Sequence, residues 1–86
     1  MFENNLRLYG YFEGSLSDDV VEELFFDRFL QDNGFSFFGL SYFDERRELL
    51  DLDGELFGED CYELQLFAKF QLFCQRYGLR FVELDN

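Results

Sequence analysis

An α+β domain with the element order strand, helix, strand, strand, helix, strand is the fold class this sequence predicts. Three observations predict it. Residues 59–78, EDCYELQLFAKFQLFCQRYG, place Tyr62, Leu66, Phe70, Phe73 and Tyr77 on one helical stripe. Phe67 and Cys74 lie beside that stripe, and Gln65, Lys69 and Arg76 lie opposite. Residues 17–33 form a second amphipathic helix that stops at Asn33-Gly34. Around these helices lie four short segments, at 5–13, 35–43, 47–53 and 79–85, whose patterning suits strands. A helix as aromatic as 59–78 must be covered. The sheet and the other helix are what can cover it.

Residues 5–13, NLRLYGYFE, turn Leu6, Leu8 and Phe12 to one side and Arg7, Tyr9, Tyr11 and Glu13 to the other. Ser17 is the expected N-cap of the first helix, with Asp18 and Asp19 in the first turn, where carboxylates favour the helix dipole. Val20, Val21, Leu24, Phe25 and Phe29 make its expected core face, while Phe26 and Leu30 stand among Asp19, Glu22, Glu23 and Asp27. Residues 35–43, FSFFGLSYF, carry apolar groups on both faces, as a central strand would. The stretch 47–53 reads as a returning strand, with a helical turn as its competitor because Leu49 breaks the alternation. Gly54 and Gly58 bracket Glu55, Leu56 and Phe57 as a loop, and Gly78 supplies the left-handed residue that ends the second helix. The last strand turns Leu79, Phe81 and Leu84 inward.

This order suits a ferredoxin-like antiparallel sheet with both helices on one face. Right-handed crossovers then put the first and third strands at the centre and the second and fourth outside. One conflict follows, because the second strand reads as more buried than an edge strand should be. Either the sheet order differs or that edge is an interface. Residues 1–86 form a single domain, with no repeat or low-complexity linker.

Nineteen acidic residues stand against seven basic ones with no histidine, a formal charge of −12. So negative a surface repels phosphate, which excludes nucleic acid and anionic membranes as direct partners and favours basic ones. Fourteen phenylalanines without a tryptophan allow a dense core with no indole to satisfy. The N-terminal stretch lacks the basic and apolar regions of a signal peptide, and no window is long and apolar enough to span a bilayer. Cys61 and Cys74 lie on different helix faces and are read as small core hydrophobes in a reducing, cytoplasmic setting.

Absent histidine excludes histidine triads, bases and metal ligands, and the glycines form no phosphate loop. Asp51-Leu52-Asp53-Gly54 resembles the segment with which aspartate-nucleophile phosphatases begin, which would imply a nucleophilic Asp51. Glu55, however, replaces the usual hydroxyl residue, and that family's parallel domain exceeds this chain. The same string resembles the start of an EF-hand loop, but Leu56 stands in the place of its glycine and Tyr62 in that of its final glutamate. An acidic solvated turn is the simpler reading, so no catalytic residue, metal ligand or cofactor is assigned.

Function is therefore expected from surface charge. The leading expectation is an acidic protein-interaction module or inhibitor that binds a basic protein such as a nucleic-acid-binding enzyme. Its sharp form is a DNA mimic of phage or mobile-element type. Its partner-binding candidates are Asp18, Asp19, Glu22, Glu23, Phe26 and Asp27 on the first helix, and Asp44, Glu45, Asp51, Asp53, Glu55, Glu59 and Asp60 on neighbouring turns. These are expected to form one acidic belt. The alternatives are an oligomerising domain, a homodimer that buries aromatic surface, and a small cation-binding domain using Asp51, Asp53 and Glu55.

Overall fold

The computed structural model describes residues 4–46 and 49–84. Strands β1 (Asn5–Glu13), β2 (Ser36–Asp44), β3 (Leu49–Phe57) and β4 (Arg80–Glu83) form one sheet in the order β2-β3-β1-β4, with every neighbouring pair antiparallel. Of the predicted 47–53 segment, residues 47 and 48 lie outside the described residues, as does Asp85 of the last one. From Leu49 onward the chain is strand and not a helical turn. It also continues through Glu55, Leu56 and Phe57, so the loop expected there is strand. Gly54 interrupts the pattern without breaking the strand. It lies opposite Gly39, where a side chain would meet the β2 backbone and, at 2.8 Å, the tip of the Phe37 ring.

The first helix runs over residues 18–33, beginning after Ser17 with the Val21 amide donating to the Ser17 carbonyl at 3.0 Å. Its middle, Leu24–Leu30, is π-helical. Bonding i to i+5 takes one more residue per turn than an α-helix, so the inward face drifts along the sequence. Val21, Phe25, Phe29 and Leu30 are buried, whereas Val20, expected in the core, is exposed. The second helix, Glu63–Arg76, starts later than predicted. The Asn4 side-chain amide lies 3.2, 2.8 and 3.1 Å from the carbonyl oxygens of Gly58, Glu59 and Cys61, which holds that stretch as a turn. Gln65 then accepts the Tyr62 amide at 2.8 Å.

Both helices stop in the same way. Gly34 and Gly78 adopt left-handed φ values of 66° and 64°. The next amides, of Phe35 and Leu79, donate back to Leu30 and Cys74 at 2.8 Å each. Phe35 and Leu79 are themselves buried, so each cap also seals an apolar contact.

Both helices lie against one face of the sheet. Phe12, on β1, has its ring centroid 6.1 Å from Phe25 of the first helix and 5.9 Å from Phe70 of the second. Phe37 of β2 reaches Phe25 at 5.5 Å, and Phe81 of β4 reaches Phe70 at 5.2 Å. Leu8, Leu50, Leu52 and Leu56 complete this core. Offset and edge-on ring pairs of this kind add roughly 0.5–1.5 kcal/mol each beyond area burial.

Among the described residues no helix covers the opposite face. The register crosses it in rows: Arg7, Glu55 and Phe38; Tyr9, Asp53 and Leu40; Tyr11, Asp51 and Tyr42. The expected covered β2 is therefore an edge strand with its outer side exposed, Phe38 at 65% and Leu40 at 66%. Its apolar character reflects neither a central position nor a covering element among the described residues.

Candidate functional site

The first helix carries the densest group of candidate residues. Asp19, Glu22, Glu23 and Asp27 recur at helical spacing, which puts them on one side of the cylinder. Together with Phe26 and Ser41 of β2 they line an open cleft of about 490 Å³. Phe26 serves two surroundings. Its ring meets Phe25 edge-on at 5.0 Å and Phe37 at 6.0 Å, while its outer side closes the cleft floor. Leu30, its expected companion among the acids, is turned into the core by the π-helical winding.

A second cleft of about 320 Å³ adjoins the first and shares Asp19 and Glu22 with it. It is bounded by Ser17, Asp18, Phe43 and Leu50. Asp18 is only half-exposed, and its Oδ1 accepts the Leu50 amide at 3.0 Å. That bond pins the start of the helix to β3, so one Asp18 oxygen is committed to the fold. Asp44 is similarly engaged, accepting the Arg46 amide at 2.9 Å across the β2–β3 turn, with exposed Glu45 beside it.

The remaining candidates do not join them. Glu59 and Asp60 follow the far end of β3, about 27 Å along the strand from the Leu49 end near Asp18. Asp51, Asp53 and Glu55 project from the uncovered face, on the other side of the sheet from the first helix. One continuous acidic belt is thus replaced by three separate groups. The cause is register: a turn's composition does not show at which end or face of the sheet it will lie.

Asp51 needs a further correction. It is 1% exposed, flanked across the sheet by Tyr11 on one side and Tyr42 on the other. A group so enclosed cannot present its charge to a partner surface. Asp53 and Glu55 follow at two-residue steps of about 6.8 Å, a column rather than a convergent set. Among the described residues no group of three or more potential ligand side chains is placed to hold a metal ion. Asn5 donates to Glu55 Oε2 at 2.9 Å, which further orders that column.

One arrangement was not visible in the sequence. Between the helices a groove of about 290 Å³ is lined by Arg28, Lys69 and Arg76, with Asp32, Phe29 and Phe73. Three of the chain's seven cations therefore gather in this groove, away from the residues that line the acidic cleft. Cys74 is a buried core thiol whose ionisation is pushed up from 9.0 to about 12 by burial, which makes it unreactive at neutral pH. Cys61 precedes the second helix and is half-buried. No helix among the described residues is long and apolar enough to cross a membrane.

No protein-family model, no curated protein and no solved structure matches the chain.

Proposed function

We propose that the chain is an acidic protein-interaction module or inhibitor that engages a basic partner through the first helix, in its sharp form by imitating nucleic acid. One observation carries this reading. Asp19, Glu22, Glu23 and Asp27 surround the half-buried Phe26 in an open cleft from which the three grouped cations are excluded. From Asp19 to Asp27 the helix advances about 12 Å, so the four carboxylates succeed one another at a mean of about 4 Å along the axis, comparable with the 3.4 Å spacing along one strand of a DNA duplex. Phe26 supplies an apolar anchor of the type that concentrates binding energy when rimmed by polar groups. A partner of this kind would be a basic, nucleic-acid-handling protein in the cytoplasm. The two free thiols are compatible with that compartment.

We read the fold as the ferredoxin-like arrangement. Supporting this are the order β2-β3-β1-β4, antiparallel pairing throughout, and both helices against one face. The same uncovered sheet face stacks bases in RNA-binding domains of this topology, where lysines and arginines surround the aromatics. Here the central column is Asp51, Asp53 and Glu55, which disfavours that use.

The test is retention of proteins from a native-cell extract at low salt on the wild-type chain and on a variant carrying Asp19→Asn, Glu22→Gln, Glu23→Gln and Asp27→Asn. The expected result is a set of basic proteins held by the wild type alone and released along a salt gradient. Identical retention by the two chains, or elution indifferent to salt, overturns the reading.

A further inference from the structure

We infer that the outer edge of β2 is a self-association surface, on which a second copy of this chain pairs antiparallel to extend the sheet. β2 is nine residues long and closes one side of the sheet. Beyond it, among the described residues, there is no further strand to take its outward backbone groups. Natural edge strands are usually shortened, charged, bulged or covered against such pairing. β2 contains no lysine, arginine or proline, and it exposes Phe38, Leu40, Tyr42 and Phe43.

The distribution of charge identifies the occupant. Of the chain's nineteen acidic residues, β2 carries only Asp44, at its end. A basic partner drawn by the field of the molecule would be led to the carboxylates of the first helix, not to this neutral strip. Two copies of a chain with a charge of −12, by contrast, can approach most closely where neither presents charge. Their remaining repulsion is long-range and screened beyond about 8 Å at physiological ionic strength.

The strand is also complementary to itself in one register. Centred on Leu40, a two-fold pairing sets Phe38 against Tyr42 of the second copy and Phe37 against its Phe43, with Ser36 opposite Asp44. Aromatic cross-strand pairs are among the favourable ones, and in this register no like charges face each other. Moving the centre to Ser41 would set Asp44 against Phe38, and moving it to Gly39 would leave Phe43 without a cross-strand partner. The helix-covered face remains on the same side in both copies, which gives a continuous eight-stranded sheet from two four-stranded ones.

Sedimentation across the micromolar range at low and high salt tests this. The expected result is a mass that doubles with concentration, more readily at high salt. That is the opposite sign to the salt response of the basic-partner reading, so either proposal can fail alone. Leu40→Lys should return the mass to that of one chain while circular dichroism stays unchanged, and Leu64→Lys, on the exposed side of the second helix, should leave the dimer intact. In a Cys61→Ala background, Leu40→Cys should form a covalent dimer on mild oxidation, because residues directly opposite in an antiparallel pair lie about 4.5–5.5 Å apart at Cα. A wild-type chain of single-copy mass under every condition overturns the inference. So does a dimer that Leu40→Lys leaves intact.

Discussion

β4 and β2 both close the sheet, but they do so on opposite plans. β4 is four residues long and begins and ends with charge, Arg80 and Glu83. Its Arg80 lies 3.9 Å from Glu13 of β1, and its one large ring, Phe81, turns inward to Phe12 and Phe70. β2 is more than twice as long, nearly uncharged, and directs Phe38 and Leu40 outward. One chain thus holds a guarded edge and an unguarded one. The difference shows that exposed apolar surface is shared unequally between the two edges: β2 carries it, while β4 follows the usual defences.

The largest test of that comparison is at Phe25, which the core places between the two edges. Its ring meets Phe37 of β2 at 5.5 Å and Phe70 at 6.2 Å, and Phe70 in turn contacts Phe81 of β4. Phe25→Ala should cost about 3–5 kcal/mol in denaturant unfolding, the usual range for emptying a buried phenylalanine site. Amide exchange in β2 and β4 should rise together. If β2 alone opens, the rings do not couple the edges as described.

A smaller effect separates the edges. Gly54→Ala would push a methyl group toward the β2 backbone and the Phe37 ring, loosening only the unguarded edge. A cost of about 1–3 kcal/mol is expected, with faster exchange in β2 and unchanged exchange in β4. The smallest effect belongs to the guard itself. The Arg80–Glu13 pair is exposed and long at 3.9 Å, so Arg80→Ala should change stability by less than about 1 kcal/mol. A larger loss on thermal unfolding would mean that β4 depends on the pair for its attachment as well as its protection.

Much of this fold could be read from periodicity. β1 occupies the predicted residues 5–13, and the glycines at 34 and 78 end the helices as their positions suggest. What periodicity does not show depends on distant partners. The second helix begins at Glu63 because the Asn4 side chain binds carbonyls more than fifty residues away. Gly54 reads from sequence as a loop boundary because its reason for being glycine, the approach of Gly39 and Phe37, lies on another strand. The candidate site shows the same division. Asp19, Glu22, Glu23 and Asp27 could be grouped from helical spacing alone, whereas Asp51, Glu59 and Asp60 could be placed only through sheet register.

The π-helical stretch Leu24–Leu30 has a consequence for how this chain can change. Because each of its turns holds a surplus residue relative to an α-helix, the segment is a reservoir of slack between two fixed points, the Asp18 bond to Leu50 and the cap at Gly34. Loss of a single codon here would draw on that slack, tightening the winding while both anchors keep their places. The same loss in the regularly wound second helix would rotate Phe70 and Phe73 away from the sheet. Of the two helices, the one that displays the acidic cleft is therefore the more tolerant of a change in length.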